Sequence, residues 1–177
     1  MVYVFLIHNF ELVEALGTVD ILRRGKLDVT TVSITDRKEV MSSSGVTVMA
    51  DQIMQDCDFN DLNRVKAFVL PGGPGTAGYL ECHTLCNLVY EQYKRGGLVA
   101  AICAAPGILD KVGIKVKSTI YPAMKEEIKQ YVGGKVVRDG NVITGEAMGA
   151  TLDFGLEILK YLVNDAAAEA VAISIAK

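Results

Sequence analysis

Histidine is nearly missing from this sequence. His8 and His83 are the only two, so a cysteine–histidine peptidase would have little imidazole from which to draw its general base. A basic excess is missing too. The formal net charge is -3, and no Lys/Arg cluster goes beyond Arg23-Arg24, so the electrostatic footprint of a nucleic-acid binder is absent. Long apolar runs are also lacking: none approaches the ~18 residues a membrane span requires. Residues 1–8, MVYVFLIH, have no basic leader and read as a first core strand rather than an export signal. No repeat, linker or low-complexity tract divides the chain. The expectation is one cytoplasmic domain over residues 1–177, with neither nucleic acid nor membrane as partner.

Four cysteines are present, Cys57, Cys82, Cys86 and Cys103. Without an export signal they read as reduced thiols, not as a disulfide framework. Cys82-His83-x-x-Cys86 places three potential ligands on one short segment, but no second Cys/His pair closes a tetrahedral zinc site. No metal is expected.

What is present is an alternation of short apolar runs and amphipathic stretches. Residues 2–7 form a nearly continuous apolar run, as in a strand buried on both faces of a parallel sheet. Residues 11–24 follow with Leu12, Leu16 and Val19 on one helical stripe, ended by Gly25, and residues 28–34 are a second strand. That βαβ opening, with its right-handed crossover, sets the class as α/β. Residues 36–51 read as a small hairpin outside the main sheet, 67–70 as a third core strand, 85–94 as a helix and 98–102 as another strand. A helix is expected over 105–111, a short amphipathic helix from Pro122 to Tyr131, and a hairpin over 135–145 turning at Asp139-Gly140. Residues 146–150 read as a loop, 151–162 as a helix with Leu152, Leu156, Leu159 and Val163 in register, and 166–176 as a terminal Ala-rich helix.

Cys103 sits where the strand 98–102 meets the helix at 105–111, between Ala101 and Ala105. A strand that stops on a nucleophile and turns at once into a helix is a nucleophile elbow, whose sharp turn tolerates only small neighbours two residues away. A thiol at a helix N-terminus is expected to favour its thiolate. Glu14 is the second candidate. Its helical neighbours Gly17, Thr18 and Ile21 are small or apolar, so its carboxyl is expected to lose solvent and gain a raised pKa, suiting a proton donor or acceptor. Third is the segment Pro71-Gly72-Gly73-Pro74-Gly75-Thr76-Ala77-Gly78. It matches a dinucleotide-binding fingerprint by letters, but it follows a middle strand, contains Pro74 and lacks the acidic residue about 20 positions on. Its expected use is to supply oxyanion donors beside Cys103.

Together, Leu70-Pro71-Gly72-Gly73, Ile102-Cys103-Ala104-Ala105-Pro106, Glu14 in the first helix and Tyr121-Pro122-x-x-Lys125 resemble the ThiJ/PfpI superfamily, in the branch of the parkinsonism-associated deglycase. The resemblance runs from Val2 to about Leu162. It implies a flavodoxin-like, doubly wound, mainly parallel sheet with helices on both faces and a nucleophile elbow, of the class I glutamine amidotransferase-like kind. It also implies a homodimer and cofactor-free chemistry. By this likeness Cys103 is the reactive, oxidation-prone cysteine and Glu14 the carboxyl beside it, while backbone amides of Gly72, Gly73 and Ala104 form the oxyanion or sulfinate pocket. His8, at the end of the first strand, and Tyr121 are further pocket candidates.

The chain departs from the family pattern in several places. Ala104 follows the nucleophile where peptidase-type members have histidine, and Tyr121 stands where a histidine often precedes the later proline. Ser44 takes the place of an arginine near the pocket, and Ala147-Met148-Gly149 replaces a Gly-Pro-Gly turn. A peptidase is therefore not expected, and no phosphate loop or kinase motif supports a thiamine (thiazole monophosphate) biosynthetic role. Two functions remain: a stress-response enzyme of glyoxalase or deglycase type acting on small reactive carbonyls or damaged proteins, or a cysteine-based redox sensor or chaperone without turnover.

Overall fold

The computed structural model describes residues 1–59 and 61–177. Its centre is a seven-stranded sheet that begins with β1 (Val2–Leu6), β2 (Val29–Ser33) and the short β5 (Gln52–Ile53). β6 (Ala67–Leu70), β7 (Leu98–Ile102), β8 (Val136–Asp139) and β9 (Val142–Gly145) complete it. The strand order is β5-β2-β1-β6-β7-β9-β8, parallel throughout except for β8 against β9. Leaving the edge strands aside, β2-β1-β6-β7-β9 is the 2-1-3-4-5 order of the flavodoxin-like sheet. The predicted class is thus the observed one.

The apolar runs read from the sequence owe their continuity to helices on both faces. Val2, Val4 and Leu6 point to one core, shared with α1 (Leu12–Arg24), α4 (Thr151–Leu162) and α5 (Asp165–Ser174) through Ile21, Phe154, Ile158 and Val171. Tyr3 and Phe5 point to the opposite core, shared with α2 (His83–Lys94) and α3 (Pro106–Lys111) through Leu85, Val89 and Ile108. With period-2 alternation feeding two covered faces, every residue of β1, β6 and β7 is buried. The expected hairpin forms its own two-stranded antiparallel sheet, β3 (Glu39–Met41) with β4 (Thr47–Met49). No helix among the described residues is long and apolar enough to cross a membrane.

Two local expectations change. The helix expected from Pro122 to Tyr131 is only a 3-10 segment, Pro122–Glu127. Ile128 is extended and buried, and Ser118 draws the following chain into a bridge: its N–H donates to Gln130 O at 3.0 Å, and Val132 N–H donates to Ser118 O at 2.9 Å. Strand-like pairing outcompetes the helix periodicity there. The glycine segment is not an open loop, because Pro74–Glu81 winds into 3-10 helix from Pro74, whose fixed φ suits a first turn.

Candidate functional site

The carboxyl ends of β1, β6 and β7 lie side by side, and the site gathers there, as ligand sites do in open α/β sheets. Cys103, the residue after β7, forms the sharp turn that leads toward α3. It is held at φ 62°, the left-handed region that side chains other than glycine's rarely adopt. Its N–H donates to Gly145 O and its carbonyl accepts from Tyr121 N–H, both at 2.9 Å. The neighbouring strand end and the Tyr121 loop thereby hold the strained turn in place.

Glu14 reaches the same point from α1 and is completely buried. Gly72 N–H, just past β6, donates to its Oε2 at 2.9 Å. The other oxygen, Oε1, is buried with no hydrogen-bond partner. Loss of solvent pushes the Glu14 carboxyl up to about 7, and the Gly72 and Cys103 donors only partly offset that. At neutral pH it is therefore divided between acid and base.

The thiol departs from the sequence expectation. Burial pushes Cys103 up to about 12, and the adjacent Glu14 carboxylate pushes the same way, through its charge and as a hydrogen-bond acceptor. The backbone amides of Ala104 and Gly73, directed at the sulfur, pull it down by less. The expected helix-end stabilisation is weak because α3 starts only at Pro106 and spans 6 residues. Cys103 is therefore a thiol with a base beside it, not a free-standing thiolate.

A cavity of about 320 Å³ opens over the sulfur, with Gly73, Ala104, Tyr121, Met124 and Glu11 around Cys103. Of the residues singled out from sequence, Tyr121 and Cys103 line this cavity, as do Gly73 and Ala104. Gly72 serves differently from its expected place among the oxyanion donors: its amide is committed to Glu14. His8 is exposed, with Nδ1 accepting from Met41 N–H at 3.2 Å, and does not line the cavity. His83 opens α2 on the surface. No group of three or more His, Cys, Asp or Glu residues that could hold a metal ion occurs among the described residues.

Two supporting residues escaped the sequence reading. Glu11 caps α1, its Oε2 accepting from Glu14 N–H at 2.6 Å, which sets the helix entry that aims Glu14 at the thiol. An acidic residue three before Glu14 at the head of a helix was the available signal. Tyr79 is fully buried and donates its hydroxyl to Phe5 O at 2.9 Å, fastening the glycine segment to β1. Nothing local marks it, because its partner lies 74 residues away.

Comparison with known proteins places this geometry. The DJ-1/PfpI family model matches residues 1–161. Protein DJ-1alpha of Drosophila melanogaster is 38% identical over 162 residues, covering 88% of this chain and 74% of the relative. Glutathione-independent glyoxalase DJR-1.2 of Caenorhabditis elegans is 31% identical over 157 residues, covering 86% and 82%. Among solved structures, oxidized DJ-1 of Toxoplasma gondii superposes with a TM-score of 0.92 at 27% identity, over 99% of this chain and 97% of that one.

Proposed function

The chain belongs to the DJ-1/PfpI family, and we propose that it converts small reactive carbonyls of the methylglyoxal class through Cys103, without a cofactor. One observation carries this reading: a thiol at positive φ meets a buried carboxyl with a pKa pushed to about 7, under a cavity open to a small ligand. The glyoxalase among its relatives supports the same chemistry.

Because a free thiolate is disfavoured, the sulfur must lose its proton as the carbon arrives. Above about pH 7 Glu14 is a carboxylate and accepts that proton. The Cys103 sulfur bonds to the aldehyde carbon and the C=O π pair moves onto oxygen, beside the Gly73 and Ala104 amides. Glu14 then returns the proton to that oxygen, giving a neutral hemithioacetal. Moving the C–H proton, again through Glu14, to the neighbouring ketone carbon, while the hemithioacetal hydroxyl proton passes to the ketone oxygen, yields an α-hydroxy thioester. Water releases the hydroxy acid and the thiol. One carbon is oxidised as its neighbour is reduced, so no outside oxidant is needed. Cys103→Ala is expected to lower methylglyoxal consumption by on the order of 10³-fold or more; equal slow rates for both proteins would end this reading.

A second reading has its own observation: the Glu14 carboxyl beside Cys103 keeps one oxygen, Oε1, buried without a hydrogen-bond partner. Protonated, that carboxyl suits an oxidised sulfur as hydrogen-bond donor, and a similar structure is an oxidized one. Two peroxide molecules each pass one oxygen atom to sulfur and leave as water, taking Cys103 to sulfinate in a redox-sensing or chaperone role. Low peroxide is expected to add two oxygens at Cys103 before any other thiol, read by peptide mass. Oxygen spread evenly over Cys57, Cys82 and Cys86 would remove this reading.

Homodimerisation belongs to the same proposal. Val13 and Leu16 of α1, Met148 in the 3-10 turn before α4 and Leu152 in its first turn are exposed apolar side chains around the close Gly17–Thr151 approach of the two helices.

A further inference from the structure

The thiols away from Cys103 do not have equivalent partners. Cys57 donates to Gln52 Oε1 at 3.0 Å and Cys86 donates to Tyr79 O at 3.4 Å, so each faces an oxygen. Cys82 faces a second sulfur instead. Its Sγ lies 3.8 Å from Sδ of Met54, and this thiol makes no other hydrogen bond among the described residues. A thiol is a weak donor and a thioether a weak acceptor, so the contact satisfies neither group strongly.

Two separate elements bring these sulfurs together. Cys82 joins the Pro74–Glu81 segment to α2 as the residue before the helix, yet its side chain makes no capping bond there. Met54 opens a 3-10 turn, Met54–Asp56, directly after β5, and its side chain is buried. Both border a cavity of about 220 Å³, beside Ile34 and Thr84. That cavity shares no wall residue with the one over Cys103. Cys82 also packs against the core on the opposite side of the sheet from the one Cys103 touches.

A thiolate and a thioether are soft ligands, which select Cu(I) over hard cations such as Mg, Ca or Mn. Bonds of about 2.3 Å from one metal to two sulfurs span the observed 3.8 Å at an angle of about 110°. The pair can therefore hold a common ion where it stands, and a linear geometry asks each sulfur to shift by less than about 0.5 Å. Charge chooses the valence. One thiolate cancels one positive charge and leaves a neutral site, whereas a divalent ion would leave a net charge beside Ile34 and the buried Met54, at a cost in desolvation. A soft two-sulfur site needs no tetrahedral Cys/His set, so the spacing of Cys and His along the chain carries no sign of it.

We propose that Cys82 and Met54 form a binding site for a soft monovalent metal ion of the Cu(I) class, separate from the chemistry of Cys103. On binding, the Cys82 S–H bond breaks and its proton passes to solvent. The electron pair left on sulfur forms the sulfur–metal bond, and Met54 Sδ adds a lone pair. No electron is transferred, and the ion keeps its oxidation state.

Competing thiols are removed in a Cys57→Ser/Cys86→Ser/Cys103→Ser protein, which is titrated without oxygen against Cu(I) held by the coloured chelator bicinchoninate. One equivalent of copper should leave the chelator. Adding Met54→Leu, a volume-conserving swap, should weaken that binding at least tenfold, since even a change outside the ligand shell costs roughly 10–100-fold. Adding Cys82→Ser should abolish it. No copper withdrawn by the triple variant, or equal affinity with and without Met54→Leu, overturns the proposal. The native protein supplies a readout that needs no substitution. With one equivalent of Ag(I) per thiol, peroxide conversion of Met54 to its sulfoxide should slow by roughly tenfold, because the lone pair that peroxide attacks is engaged. Exposed Met49 should oxidise at an unchanged rate. Equal protection of both methionines, or of neither, by peptide mass overturns the proposal as well.

Discussion

Replacing Glu14 with glutamine is expected to stabilise the protein by up to about 3 kcal/mol at pH 8 and to abolish most carbonyl turnover. The stability effect follows from a folded pKa of about 7 against an ordinary value of 4.5. Below about pH 4.5 the carboxyl is protonated in both states, and its contribution to stability is fully present. Between 4.5 and 7 the unfolded chain has released the proton while the folded protein still holds it, so stability falls by about 1.4 kcal/mol per pH unit. Above about 7 the loss is complete. Glutamine cannot ionise and keeps a carbonyl for Gly72 N–H, so the fall should vanish from its profile. Urea unfolding at pH 5 and pH 8 measures this directly, and parallel profiles for the two proteins would show that Glu14 is not held protonated by the fold. The same substitution removes the carboxyl that is hydrogen-bonded to the Cys103 thiol, and turnover should drop by roughly 10²–10⁴-fold. A residue retained only for packing would not combine a gain in stability with a loss of rate.

What could be read before the fold was known divides along sequence separation. The βα alternation, the strand-to-helix turn at Cys103 and the desolvation of Glu14 depend on neighbours within a turn or two, and the one-dimensional pattern carries them. The pairing of Glu14 with Gly72 spans 58 residues, and Tyr79 with Phe5 spans 74. Those depend on which strands lie adjacent. The thiol runs against its local motif for the same reason: a helix N-terminus favours the thiolate, whereas burial and a carboxylate brought in from α1 outweigh the short α3. The Pro122–Glu127 segment shows the limit of periodicity, since the Ser118 bridge to Tyr131 is set by tertiary pairing. Lys111 and Glu127, 16 residues apart, carry no local signal that the fold sets them on one cavity wall.

Gly73→Ala is expected to cost more than about 3 kcal/mol, because two penalties fall on one residue. Its φ of 107° lies outside the left-handed well that even asparagine tolerates, worth of order 1–3 kcal/mol for a residue with a side chain. An added Cβ would also lie 2.5 Å from Asn9 O, 2.5 Å from Glu11 N and 2.7 Å from Phe10 C. These are backbone atoms that no rotamer change can move aside, so the β1–α1 turn itself must shift. That turn holds Glu11, whose N–H donates to Gly72 O at 2.9 Å and whose side chain caps the helix carrying Glu14. The displacement would therefore draw the carboxyl away from Cys103 as well as lower the melting temperature. Gly45→Ala is the informative control. Gly45 also has positive φ, 80°, but an added Cβ there meets nothing within 4 Å, so only the conformational cost of about 1–2 kcal/mol applies. If thermal unfolding places the two variants at the same stability, backbone strain alone accounts for Gly73. If Gly73→Ala is much the weaker protein and its Cys103 alkylation rate changes while that of Gly45→Ala does not, the close approach of the glycine segment to the start of α1 is what holds thiol and carboxyl together.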